Sequence, residues 1–325
     1  MRRLVALGLL LAAAAAPVAA FDLQAHRGGR GLWPENTLPA FAGALSLGVD
    51  TLELDVGVTR DGIVVIHHDD ALNPATARGA DGRWIAAPGP TLRSLSAAEL
   101  ATYDVGRLDP ASRYARGFPD QQAVDGTRVP ALADLFGLVR RRGDASVRFN
   151  IETKIAPDAP DRTLPPDEFA LHLLAVIREA GMTDRVTVQS FDWRTLVAIR
   201  LAEPAVPTVH LTVQQRWRDT IRGPDGGPTA WTAGFSVADH GGSVPRMVKA
   251  AGGAIWSPYW RDPSDADLAE ARRLGLPVIV WTVNEPADME ALIARGVDGI
   301  ITDRPDILRR VMASRGMKLP AAAPR

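Results

Sequence analysis

The stretch TLELDVGVTRDGIVVIHH, residues 51–68, decides the fold. Thr51–Val58 alternates, so on a strand Leu52, Leu54 and Val56 share one face and Glu53 and Asp55 share the other. Ile63–His67 is a second, shorter apolar run. Between them stands Thr59-Arg60-Asp61-Gly62, and Asp-Gly is a strong tight-turn signal. No crossover helix fits in four residues, so the two runs pair as an antiparallel hairpin.

Outward from this hairpin, strand-like and helix-like segments alternate. Further strands are expected at Leu23–His26, Ser146–Glu152, Arg185–Gln189, Thr208–Thr212, Ala254–Trp256, Pro277–Trp281 and Gly299–Thr302. Helices are expected at Leu38–Leu47, Glu168–Ala180, Trp193–Ala202, Asp265–Leu274 and Pro286–Ala294. Such alternation implies parallel pairing. With the Ile63–His67 arm counted as an addition, eight parallel strands remain, the number of a (β/α)8 TIM barrel. An open dinucleotide-binding sheet is disfavoured, because His26-Arg27-Gly28-Gly29-Arg30-Gly31 lacks its glycine fingerprint. The stretch 70–143 breaks the rhythm. It is rich in Pro, Gly, Asp and Arg, with helices expected only at Ser96–Tyr103 and Ala131–Arg142. It reads as an insertion after the added hairpin arm near the second strand. A second irregular region runs from Gln214 to Gly234.

The chain has 325 residues and 46% hydrophobic content, enough for one large core. Its formal net charge of −1 argues against a nucleic-acid partner. The absence of cysteine excludes disulfides, thiolate metal sites and cysteine nucleophiles. Residues 1–20 read as a signal peptide: Arg2 and Arg3, an apolar run from Leu4 to Ala16, Pro17, then small residues Val18-Ala19-Ala20. The run is short for a bilayer span of roughly 20 residues. The expectation is a mature barrel over 21–315, a C-terminal tail over 316–325, a periplasmic or secreted location, and no stable membrane anchor after cleavage.

Two inward carboxylates on one strand, Glu53 and Asp55, are costly to bury unless a cation or donors meet them. Glu152 and Lys154 repeat the two-residue spacing on the next parallel strand. Three carboxylates on neighbouring strands suit one divalent cation, Ca²⁺ or Mg²⁺. The competing reading is a structural salt-bridge network with Lys154 and Arg27. Pairing back from the turn sets residue 55 opposite 67 or 68. A histidine therefore meets the carboxylates at the barrel rim, but register alone does not choose between His67 and His68. His26 ends the first strand beside Arg27 and two glycines. Two histidines, an arginine, a lysine and a carboxylate nest describe phosphoryl chemistry.

Taken together, His26-Arg27-Gly28, Pro34-Glu35-Asn36-Thr37, Glu53-Leu54-Asp55, His68-Asp69, Glu152-Thr153-Lys154, Gln189-Ser190-Phe191, Trp281-Thr282-Val283-Asn284 and the run from Gly296 to Pro305 resemble the glycerophosphodiester phosphodiesterases. The resemblance covers about Gln24 to Leu308 in the family's order. It implies His26 and His68 as the acid–base pair, and so selects His68 over His67. It implies Glu53, Asp55 and Glu152 as metal ligands, with Arg27 and Lys154 on the phosphate. Gln189, Phe191 and Trp281 fall on the substrate side. Glu35 and Asn36 would be supporting groups, with Asn36 as N-cap of the following helix. The implied reaction is hydrolysis of a small-molecule glycerophosphodiester to glycerol 3-phosphate and an alcohol. A related phosphodiesterase acting on lysophospholipid or another phosphodiester is the alternative, and a non-catalytic phosphodiester-binding barrel a remote third. The insertion would cap the site with Trp84, Tyr103, Tyr114 and Phe118 as its large aromatics.

Overall fold

In the computed structural model the described residues are 21–223 and 226–323, so the leader-like stretch 1–20 lies outside them. The chain opens with β1 (Asp22–Ala25), α1 (Leu38–Leu47) and the hairpin β2 (Thr51–Val58) and β3 (Val64–Ile66). The insertion follows, with the short α2 (Ala97–Leu100), and closes into α3 (Leu132–Arg141). Next come β4 (Arg148–Thr153), α4 (Pro166–Glu179), β5 (Val186–Ser190), α5 (Trp193–Ala202) and β6 (Thr208–Thr212). A small hairpin, β7 (Gln214–Gln215) and β8 (Arg218–Asp219), leads to α6 (Val244–Ala250) and β9 (Ile255–Pro258). The chain ends with α7 (Asp265–Arg273), β10 (Ile279–Val280), α8 (Pro286–Arg295), β11 (Gly299–Thr302) and α9 (Pro305–Ser314).

The parallel strands run in the order β10-β11-β1-β2-β4-β5-β6-β9. Two single parallel bridges, Trp256 with Val278 and Tyr259 with Trp281, join the ends of this path and bring the ring together. Among the described residues this is the eight-stranded α/β barrel that the alternation predicts. The added arm β3 lies antiparallel on β2, with Val56 opposite Ile66 and Val58 opposite Val64. Leu52, Leu54 and Val56 are fully buried and join one apolar core with Phe41 and Leu45 of α1 and Leu135 and Phe136 of α3. The polar face of β2 is thereby turned into the barrel.

Several boundaries differ from the sequence reading. β1 stops at Ala25, and His26 opens a tight 3₁₀ turn instead of ending the strand. The helix expected over Ser96–Tyr103 is only one turn, set by a Ser96/Glu99 capping box. The hairpin β7–β8 falls inside the region read as irregular, and its strands are too short to show a periodicity. Two helices went unread. α6 has only seven residues, and α9 begins at Pro305, in a stretch read as motif. The tail beyond α9 packs back on the barrel, where Ala323 N–H donates to Leu45 O at 2.9 Å.

The insertion builds a small apolar cluster of its own from Leu72, Ala77, Leu92, Leu100 and Val105, against Val65 of the arm. It also reaches the first loop of the barrel. Gln121 Nε2 donates to Arg30 O at 2.8 Å, and Arg304 pairs with Asp120 at 2.8 Å. Of its aromatics, Tyr114 hydrogen-bonds Glu35 and Phe118 stacks under Arg30, with the guanidinium 4.8 Å from the ring centroid. Trp84 receives Arg78 within the insertion, and Tyr103 packs on its cluster.

Outside the ring, His210 of β6 is buried against Trp193 of α5, ring centroids 4.7 Å apart, and its Nδ1 has no hydrogen-bond partner. Burial first, then the nearby Arg200, pushes its pKa down to about 3. Above pH 6.5 the imidazole is neutral in both folded and unfolded chains. As pH falls below about 6.5 the unfolded chain takes up the proton and the folded one does not, so stability falls with pH until about pH 3. In thermal melts from pH 7 to pH 4, wild type should therefore lose a few kcal/mol more than His210→Asn does. Parallel curves for the two proteins would show that His210 protonates as easily folded as unfolded.

Candidate active site

The C-terminal ends of the barrel strands converge on a cavity of about 160 Å³. Glu53 from β2, Glu152 from β4, Gln189 from β5 and Leu211 from β6 line it, with His26 and His68 on the loops above. Catalytic sites of barrels lie at this end, because the loops there carry side chains from separate strands to one point.

The register of β2 with β4 sets Asp55 opposite Glu152 and Glu53 opposite Asn150. One oxygen from each of Glu53, Asp55 and Glu152 lies within 4.8 Å of the others, and all three residues are buried. Glu53 accepts from Gln189 Nε2 at 2.6 Å and from the Arg27 backbone N–H at 2.9 Å. Burial, then the Asp55 and Glu152 carboxylates, push its pKa well above the ordinary range. Burial also leads in raising Glu152 to about 7, with Lys154 opposing and Asp55 adding. At Asp55 burial is overcome by Arg27, His68 and Lys154, so this carboxyl stays well below the usual value. Asp55 Oδ1 is buried and accepts no hydrogen bond, with Lys154 Nζ still 3.7 Å away. An all-oxygen donor set, crowded acids and a buried acceptor without a donor fit a hard divalent cation.

His26 sits in a tight turn. Arg27 (φ +51°) and Gly28 (φ +79°) both occupy the left-handed region. A Cβ at Gly28 would come within 2.9 Å of the Ala40 side chain, so the position needs glycine on both counts. His26 Nδ1 is 2.5 Å from Asp303 Oδ1. Asp303 also accepts from Arg30 Nε at 2.7 Å and from Asn284 Nδ2 at 2.8 Å. Burial acts against the Asp303 carboxylate, yet Arg30 and His26 hold its pKa far below the usual range. Burial, then Arg30, push His26 down to about 4.

The hairpin register continues past β3, since the His67 N–H donates to Asp55 O at 3.0 Å. The next residue, His68, reaches the carboxylate cavity. His67 does not line that cavity, and its Nδ1 is 2.9 Å from Asp69 O. His68 Nδ1 is 2.6 Å from Asp69 Oδ1, and Asn73 Nδ2 donates to the same carboxylate at 3.1 Å. Burial, Arg27 and Lys154 push His68 to about 4, although a third of its side chain still meets solvent.

The remaining sequence-predicted residues gather here too, with some changes of partner. Arg27 Nη1 donates to Glu35 at 2.7 Å, and its Nε is 3.1 Å from Asp55, so two carboxylates already engage this arginine. Lys154 Nζ donates to Glu152 at 2.8 Å. Gln189 lines the cavity, but its amide is shared between Glu53 and Asn150. Phe191 and Trp281 meet edge to face, centroids 5.3 Å apart, at the cavity mouth. One expectation fails: Asn36 is not the N-cap of α1. Its backbone turns left-handed (φ +56°) and its amide donates to Asp55 Oδ2 at 2.9 Å, while Thr37 caps by accepting from Ala40 N–H. Sequence reasoning gave no role to Asp303, Asn284, Arg30 or Tyr114. Asp303 carried a usable signal, since it directly follows the last barrel strand at the catalytic end.

A profile of the "Glycerophosphoryl diester phosphodiesterase family" matches residues 26–307. The glycerophosphodiester phosphodiesterase of Caldanaerobacter subterraneus subsp. tengcongensis is 26% identical over 296 residues, covering 90% of this chain and 98% of the relative. A lysophospholipase D of Mus musculus is 42% identical over 319 residues, covering 91% and 83%. A Silicibacter pomeroyi crystal structure named for the same family superposes with a TM-score of 0.81 at 35% identity, covering 93% of this chain and 96% of that one. The chain belongs to the glycerophosphoryl diester phosphodiesterase family.

Proposed function

We propose that the protein hydrolyses glycerophosphodiesters to glycerol 3-phosphate and an alcohol, with His26 and His68 as the acid–base pair. One observation carries the reading. Two histidines, each with Nδ1 against a carboxylate, flank a cavity floored by three more carboxylates. An ionised carboxylate against Nδ1 favours the Nδ1-protonated tautomer of each ring and leaves Nε2 as the nitrogen open to proton transfer. Both rings are neutral at pH 7 in the free protein. A phosphodiester brings a negative charge that favours the imidazolium form. His26 belongs only to the inner cavity, whereas His68 also borders an outer groove of about 670 Å³. His26 therefore takes the proton of the attacking oxygen and His68 returns one to the departing head-group alkoxide. The attacker is either a water, which gives glycerol 3-phosphate directly, or the glycerol's own hydroxyl, which gives a cyclic phosphate that water then opens.

Glu53, Asp55 and Glu152 would hold one divalent cation, Ca²⁺ or Mg²⁺, which when bound supplies charge stabilisation to the phosphoryl oxygens. Arg27 and Lys154 add positive charge beside the phosphate, and their carboxylate partners keep both in place. Release of glycerol 3-phosphate from a panel of glycerophosphodiesters tests the reaction. Activity should vanish in excess chelator and return with added cation; full activity in chelator would remove the metal assignment.

A second reading, cleavage of lysophospholipids, draws support from the mouse relative's name and from Trp217, 63% exposed beside the outer groove. Faster choline release from lysophosphatidylcholine than from glycerophosphocholine would favour it. We also place the mature protein outside the cytoplasmic membrane, supported by the signal-like residues 1–20. Among the described residues no helix is long and apolar enough to cross a membrane. N-terminal sequencing of exported protein should begin near Phe21, and an intact Met1 would refute cleavage.

The histidine assignment has its own test. His68→Ala should lower kcat about 10²- to 10⁴-fold while His67→Ala retains most turnover. Asp303→Asn should lower kcat more than it raises KM, because it disturbs the imidazole rather than the substrate contacts. A His67→Ala enzyme as inactive as His68→Ala would reverse the assignment.

A further inference from the structure

Beyond the catalytic cavity, the outer groove is walled by Phe191, Trp217, Trp231 and Trp281, with His68 and Lys154 at its inner end. Aromatic walls of this kind bind quaternary ammonium groups by cation–π attraction. Here the place of such a guest is already taken. Arg218, on strand β8, sets its guanidinium 4.5 Å from the Trp231 ring centroid and 5.9 Å from that of Phe191. The other charges of the groove have partners. Arg162 pairs with Asp70, Lys154 with Glu152, and Asp69 with His68. Among the described residues no carboxylate lies within ion-pair distance of Arg218, which keeps only its ring contacts.

An exposed guanidinium held by aromatic faces is pre-oriented, with its donor edges free to fork onto an oxyanion. We infer that Arg218 selects a head group carrying an anion, a carboxylate or a second phosphate, and disfavours a quaternary ammonium. The inference rests on the glycerophosphodiester reading above, with the head group in the outer groove. The groove's volume, about 670 Å³ against about 160 Å³ for the inner cavity, leaves room for a head group larger than the glycerol phosphate. Arg218 lies away from the reacting atoms, so it binds ground state and transition state alike and acts on KM.

The test compares kcat/KM at low ionic strength for bis(glycerophospho)glycerol, glycerophosphoserine and glycerophosphocholine. Wild type should prefer at least one of the two anionic head groups to choline. Arg218→Gln should reduce that preference about three- to tenfold, through KM, and Arg218→Lys should restore part of it. Salt at about 0.5 M should shrink the wild-type preference toward that of Arg218→Gln. The anionic substrate that loses more identifies carboxylate or phosphate as the partner. Wild-type preference for glycerophosphocholine, or a ratio unchanged in Arg218→Gln at an unaltered melting temperature, overturns the inference while the hydrolase reading stands. No turnover of any of the three diesters overturns both.

Discussion

Three buried carboxylates facing one another across two strands are the constraint on which the site depends. Uncompensated, each would cost several kcal/mol in so enclosed a place. The protein spends much of its first loop meeting them. Arg27 contributes its backbone N–H to Glu53 and its guanidinium to Asp55. Asn36 serves Asp55 with its side-chain amide. Both residues adopt left-handed backbone to do so, a strain of order 1 kcal/mol or more each that the loop's other contacts must hold. From the far side Gln189 donates to Glu53, and Asn150 in turn donates to Gln189. These groups still leave Asp55 Oδ1 without a hydrogen-bond donor and Glu53 with a raised pKa. Acids this close raise one another's pKa, and a divalent ion bound among them would relieve that repulsion.

The same network ties the insertion to the chemistry. Glu35, which holds Arg27, also accepts from Tyr114 of the insertion, and Tyr114 accepts from Arg30 Nη1 at 3.1 Å. Arg30 in turn donates to the Asp303 that orients His26. A chain of polar contacts therefore runs from the inserted segment through the first loop to both the carboxylate nest and one histidine. The insertion's small core rests on Val65 of the arm, and this set of polar contacts ties its other side to the mouth of the barrel.

The sequence made the barrel and the carboxylates legible for one reason: alternation along β2 is a period-two signal that sorts Leu52, Leu54 and Val56 from Glu53 and Asp55. The Asp61-Gly62 turn then placed a histidine beside Asp55. It stopped short of choosing one, because a register slip of a single residue exchanges His67 for His68. Residue 55 does pair opposite 67, and the imidazole that lines the carboxylate cavity is the next one along, where the chain leaves the strand. Other features were hidden for different reasons. Asn36 and Thr37 are both good capping residues, and nothing local says that a carboxylate nineteen positions away claims the first of them. Asp303 meets His26 across 277 residues of chain, a contact that only ring closure creates. The hairpin β7–β8 has two residues per strand, below any detectable period.

These differences in legibility follow a division of labour within the site. The residues that line the inner cavity sit on strand ends or on loops pinned to them, where register and burial dictate position. Phe191 and Trp281 mark the boundary: they close the inner cavity on one side and wall the outer groove on the other. Past that boundary the lining comes from connecting segments: residues 69–74 after the β3 arm, residues 154–163 after β4, and Trp217, Arg218 and Trp231 after β6. The two regions meet at His68, Glu152, Lys154, Phe191 and Trp281, which line both. Of these, His68 is held by Asp69, which in turn accepts from Asn73. The barrel strands therefore fix the carboxylate cavity, and the excursion after β6, with Trp217, Arg218 and Trp231, shapes the groove outside it.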